Sequence, residues 1–157
     1  MNILSLLLLA IIPGLIIAIV TAYITVQLSL KQFYSEQWWQ QKATAYSEII
    51  LALFHIKQSY DMEIFKIEEG IEFSSDERQK ELGERSASGY ETINKAVAYG
   101  SFAISDEASD CISKFNKEIR NPHQPGDWFD AIQKKSKLIE KCINQIREYA
   151  KRDLRKK

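Results

Sequence analysis

Hydrophobic and polar positions divide this chain at Lys31. Before it there is no Asp, Glu, Lys or Arg, and residues 3–20 are almost entirely Leu, Ile, Val and Ala. About 20 apolar residues suffice to cross the hydrocarbon of a bilayer as a helix, each adding about 1.5 Å. The pattern predicts a transmembrane anchor over residues 1–30. A cleaved signal peptide is the competing reading, because Val20-Thr21-Ala22 has the small residues of a cleavage site. The apolar run is longer than the usual stretch of about 7–15 residues in such a leader, and no basic residue precedes it. An uncleaved anchor is therefore expected.

After Lys31 the period changes, but nothing breaks the helix. Trp39, Ala43, Tyr46, Ile50, Leu53, Lys57, Tyr60, Ile64 and Ile67 alternate steps of four and three, a heptad-like stripe. Gly70 is the natural stop, since a helix end favours a left-handed residue. Ser74 and Glu77 then have capping-box spacing. Leu82, Tyr90, Ile93 and Val97 mark the buried side of the second arm, which Gly83, Gly89 and Gly100 weaken by about 1 kcal/mol each. A break is expected at Gly100-Ser101, with a fresh start at Ser105, where Asp106, Glu107 and Asp110 suit the helix dipole. Ala108, Cys111, Ile112, Phe115 and Ile119 supply the apolar face there. Asn121-Pro122-His123-Gln124-Pro125-Gly126 reads as a loop. Asp127 can cap the last helix, whose apolar face is Ile132, Ile139, Cys142, Ile143, Ile146, Tyr149 and Leu154.

No stretch alternates like a strand. The expected fold is all-α: an N-terminal transmembrane helix continuing into an antiparallel three-helix bundle over residues 31–157. Its arms are about 31–70, 75–120 and 127–155, and a split of the middle arm would give four segments. In this three-arm scheme the last helix ends beside the acidic stretch that begins at Asp61.

Composition sharpens the division. The 157 residues carry 21 basic and 21 acidic side chains, yet all 42 charges follow residue 30. The 45% hydrophobic fraction thus averages an apolar segment with a polar one. That excludes an ordinary soluble globule, a fully disordered chain and a disulfide-rich secreted scaffold. Residues 61–110 hold 13 acids and 5 bases, and residues 111–157 hold 6 acids and 13 bases. Opposite charge on consecutive arms helps set their register, although exposed pairs contribute only about 0–1 kcal/mol each.

Three groups of residues are candidate sites. Ala10, Gly14, Ala18 and Ala22 recur every four residues, a ladder of small side chains through which transmembrane helices associate. Thr21, Thr25 and Ser29 continue it with hydroxyls, and Pro13 is expected to bend the helix. Trp38 and Trp39, with Trp128 and Phe129 brought back by the loop, are expected to form a juxtamembrane aromatic cluster. Arg147, Lys151, Arg152, Arg155, Lys156 and Lys157 form a basic tail, whose first expected partner is an acidic surface of this chain or another, ahead of anionic lipid.

Catalytic chemistry finds no foothold. There is no glycine-rich phosphate loop, no Gly-x-Ser-x-Gly and no His-Glu-x-x-His. Cys111 and Cys142 read as small core residues, and their spacing fits no zinc site. His55 and His123 read as solvated. No enzyme activity, cofactor, metal or nucleic-acid partner is expected.

Trp38-Trp39 with Tyr46, Gly100-Ser101-Phe102-Ala103-Ile104-Ser105, and Ala150-Lys151-Arg152-Asp153-Leu154 together span most of the charged part. With the anchor, they resemble a group of small bacterial single-pass membrane proteins that carry a cytoplasmic helical bundle. The resemblance implies a bacterial inner-membrane setting. It supplies no activity, and no site residues come with it.

Lys31 and Lys42 follow the anchor, and basic residues favour the cytoplasmic side. The expectation is an inner-membrane protein with a very short N-terminus outside and a cytoplasmic bundle. Its expected role is a membrane-anchored interaction or scaffold module, with the lipid bilayer, a second copy of itself and a protein partner as its contacts. The alternative is a membrane-perturbing effector such as a toxin or defence component, suggested by the ladder, the Pro-Gly pair and the long apolar run.

Overall fold

The computed structural model describes residues 3–70, 76–99, 102–121 and 128–155, with side chains described from Gly14 onward except at Asp76. The capping serine Ser74, the break at Gly100-Ser101, the loop residues 122–126 with His123, the cap Asp127, and Lys156 and Lys157 lie outside the described residues, as do the side chains of Ala10 and Pro13. The fold is all-α, with α1 Ile3–Glu69, α2 Asp76–Tyr99, α3 Asp106–Ile119 and α4 Trp128–Arg155. No strand occurs among the described residues. The chain divides into two compact units, Met1–Gln40 and Gln41–Lys157.

The first unit is the apolar part of α1. The helix runs through Pro13 without interruption. From Gly14 to Gln40 every residue is exposed, including Leu15, Ile16, Ile17, Ile19, Val20 and Ile24. Among the described residues, α1 is the one helix long and apolar enough to cross a membrane, and none of its apolar window is buried. Water would penalise such a surface heavily, at roughly 25 cal/mol for each Å² of apolar area.

The second unit has a conventional core. Tyr46, Ile49, Ala52, Leu53 and Ile56 from α1 pack with Ile93 of α2, Ala108, Ile112, Phe115 and Ile119 of α3, and Ile139, Cys142, Ile143, Ile146 and Ala150 of α4. The faces of α3 and α4 are the ones their periodicity predicts. On α1 the buried stripe is rotated from the predicted one. Ile49, Ala52 and Ile56 face inward, Ile50 and Lys57 sit at the margin, and Trp39 and Ile67 at the two ends are exposed. The reason lies in the neighbour: Ala52 and Ile56 meet Gly89 of α2. A Cβ at Gly89 would come within 2.7 Å of the Ala52 carbonyl oxygen and 3.0 Å of Ile56 Cγ1. Gly89 therefore permits two helices to approach closely, rather than merely weakening one. Gly70 closes α1 with φ 60°, the left-handed conformation expected of a helix stop.

The predicted middle arm is two helices, α2 and α3, and α3 packs beside α2 instead of extending it. Asn94 of α2 accepts from Asn116 Nδ2 at 3.2 Å and from Arg120 at 2.5 Å, both on α3. This extra segment changes where α4 ends. Ser136, early in α4, donates to Asp61 at 2.6 Å, while Asp153, near its end, meets Tyr46. The end of α4 thus lies at Tyr46 and not beside Asp61, as the three-arm scheme required.

Candidate functional site

A polar junction forms around Tyr46 in the second unit, where this residue is buried to 1% exposure. Its hydroxyl donates to Asp153 Oδ2. The same oxygen lies 3.2 Å from the Ser105 hydroxyl and accepts from the Ser105 backbone N–H at 3.2 Å. Ser105 has the extended backbone of an N-cap for α3, but its side chain makes no capping bond and turns to this junction instead. Arg152, next along, pairs with Glu107 of α3 at 3.2 Å and with Asp153 at 3.3 Å. Burial pushes the Tyr46 hydroxyl above its ordinary pKa, and donation to Asp153 adds to the rise. For Asp153, burial pushes upward, but hydrogen bonds from Ser105, Tyr46 and Arg152 together outweigh it and hold the carboxyl low. At neutral pH the pair is a neutral donor and a charged acceptor, and the opposite shifts widen the pH range over which it stays so. The junction is a structural lock joining α1, the start of α3 and the end of α4.

Sequence periodicity could place Tyr46 on an inward face but could not reveal this partner. Asp153 lies inside the basic tail, where its neighbours suggest a solvated charge. The tail itself is partly neutralised. Arg147, Lys151, Arg152 and Arg155 are exposed. Lys151 pairs with Glu148 at 2.8 Å, and the Arg152 guanidinium lies 5.3 Å from the centre of the Tyr149 ring.

The small-residue ladder falls in the first unit. Gly14 has open space where a Cβ would stand, and Ala18 and Ala22 are exposed. Thr25 donates to the Thr21 carbonyl at 2.8 Å, so that hydroxyl is satisfied within its own helix. Of the aromatic candidates, Trp38 and Trp39 belong to the first unit, and Trp128 and Phe129 open α4 in the second. Trp128 is exposed and Phe129 partly buried.

Two further surface features stand out. A groove of about 620 Å³ between α1 and α2 is lined by Ile49, Ala52, His55 and Tyr99 among others. A smaller cleft of about 360 Å³ between α3 and α4 contains both cysteines. Among the described residues, no group of three or more His, Cys, Asp or Glu is placed to hold a metal ion. His55 has the Phe54 ring beside it at 6.4 Å between centroids. Comparison of the chain with protein-family models, with curated proteins and with solved structures returns no match.

Proposed function

We propose that this chain is a single-pass membrane-anchored interaction module. Its first thirty residues stay in the bilayer of a bacterial inner membrane, and its charged helical bundle lies on the cytoplasmic face. The observation that carries the reading is the contrast within α1. Every side chain from Gly14 to Leu30 is uncharged and exposed, whereas from Tyr46 onward the same helix contributes five side chains to a closed core. Exposed Leu and Ile all round a helix suit lipid. Lys31 and Lys42 after the apolar run favour the orientation with the bundle inside.

In this reading the bundle is an antiparallel four-helix arrangement. Two pairs support it: Tyr46 with Asp153, and Asp61 with Ser136, run in opposite senses along α1 and α4. The pairs Glu107 with Arg152 and Cys111 with Gln145 do the same for α3 and α4. Tethering holds the bundle at high effective concentration near other membrane proteins and near further copies of itself. The ladder Ala10, Gly14, Ala18 and Ala22 is the face through which copies would pair.

The test is membrane extraction combined with topology. Alkaline carbonate should leave the full-length chain in the membrane pellet, and a reporter fused after Lys157 should report the cytoplasm. A chain shortened to begin near Tyr23 and recovered in the soluble fraction would overturn the anchor. An externally active reporter would overturn the orientation. Depolarisation of the membrane on modest expression would favour the effector alternative over the interaction module.

A further inference from the structure

We infer that Cys111 and Cys142 form a reversible peroxide-modification site, in which oxidation closes a disulfide between α3 and α4. Both thiols are free, Cys111 half-buried and Cys142 buried. They line the same cleft of about 360 Å³, together with Lys114, Lys141 and Gln145. The Cys111 thiol donates to Gln145 Oε1 of α4 at 3.3 Å, which holds its sulfur against the facing helix.

The two sulfurs differ in the way such a site needs. Cys111 is partly open to the cleft, where a small oxidant can reach it. Cys142 sits behind it in the core. Hydrogen bonding from Cys142 pulls the Cys111 thiol below its ordinary pKa, burial pushes it back up, and the Lys114 and Lys141 ammonium groups favour the thiolate further. The same contact with Cys111, followed by burial, drives the Cys142 thiol upward. Cys111 is thus the nucleophile and Cys142 the resolving thiol. Thiolate character and exposure are what make a cysteine reactive.

The chemistry closes with hydrogen peroxide as the oxidant. The Cys111 thiolate attacks one peroxide oxygen, the O–O bond breaks, and the departing hydroxide takes a proton to become water. Cys111 is left as a sulfenic acid. The Cys142 sulfur then attacks Cys111 Sγ, its proton passing to the leaving hydroxide, so the S–O bond breaks as the S–S bond forms. Two thiols are oxidised by two electrons in all, and one peroxide is reduced to two waters. A thiol reductant reverses the change by exchange through a mixed disulfide. The product staples α3 to α4 and removes the Cys111 bond to Gln145.

The experiment uses the full chain in detergent, treated with hydrogen peroxide, alkylated and digested without reductant. The expected result is loss of both alkylatable thiols and a Cys111–Cys142 linked peptide pair within one chain, restored to free thiols by dithiothreitol. In Cys142→Ala the sulfenic acid has no resolving partner, so dimedone should label Cys111. In Cys111→Ala, Cys142 should remain an unlabelled thiol. Two free thiols after peroxide, linkage only between separate chains, or dimedone labelling of Cys142 in Cys111→Ala would each overturn the inference. The wild-type linkage decides the matter even if a variant fails to fold.

Discussion

The Tyr46 hydroxyl donates to the carboxylate of Asp153, 107 positions further along the chain. Ser105 completes the contact through its own hydroxyl and N–H. One phenolic oxygen therefore joins three segments that local periodicity treats as independent. Tyr46→Phe keeps the ring but leaves a partly buried carboxylate without this donor. Hydrogen bonds to charged groups contribute roughly 1.5–3 kcal/mol. The variant should lose stability of that order, seen as a lower thermal midpoint of the detergent-solubilised chain. An unchanged midpoint would show that the junction does not hold the bundle together.

The same pair predicts how stability responds to pH. Asp153 is held low in the fold. Its contribution is complete above the ordinary carboxylate pKa and is lost as pH falls through the lowered value. Tyr46 is held high, above the ordinary value of 10.0. Its contribution is complete below that value and is lost as pH rises through the raised one. Midpoints measured across pH should show Asp153→Asn flattening the acid limb and Tyr46→Phe flattening the alkaline limb. Profiles parallel to wild type in both variants would rule out this origin for the two limbs.

Two glycines of α2 should respond oppositely to alanine. Gly83 has nothing within 4 Å of a new Cβ. Gly83→Ala should therefore gain close to the full helix-propensity difference of about 0.8–1 kcal/mol. Gly89→Ala has the same propensity gain, but its Cβ would meet the Ala52 carbonyl oxygen at 2.7 Å. That backbone atom cannot swing aside, so α1 and α2 must separate. Overpacking of this kind costs typically about 1–3 kcal/mol, enough to reverse the sign. Denaturation of the two variants side by side checks the contrast, and a stabilised Gly89→Ala would refute the close approach.

How much of this was legible follows from what each signal measures. Gly70, the start at Asp106 and the buried faces of α3 and α4 were readable because they depend on local geometry and a 3.6-residue period. Ser105 was readable as a helix start, while the redirection of its hydroxyl to Tyr46 depends on a residue 59 positions away. On α1 the heptad pattern accepted Ile50 and Lys57, since both can cover apolar surface. Only the facing helix, with Gly89 against Ala52, selects Ile49, Ala52 and Ile56 instead. The turn signals near residue 100 predicted a break without giving the direction of the chain after it. One added segment moved the end of α4 from Asp61 to Tyr46. Of the candidate sites, the ladder was visible as spacing. The polar junction was not, because Asp153 resembles every other charge in its tail.

Gly14 presents bare backbone on an exposed helix face. In lipid there is no hydrophobic gain from pairing two apolar helices, so close packing across small residues must supply the attraction. Gly14→Leu adds bulk at that position without changing charge or shortening the apolar run. It should leave membrane insertion intact while sharply reducing crosslinking between copies within native membranes. Ile16→Phe, at an exposed position on the side of the helix opposite the ladder, adds bulk away from the small residues, should leave crosslinking unchanged and serves as the control for general effects of bulk. If Gly14→Leu crosslinks as well as wild type, copies do not meet through this face, and any self-association must run through the bundle. If both variants lose crosslinking equally, the pairing responds to helix bulk in general and the spacing of the small residues is incidental.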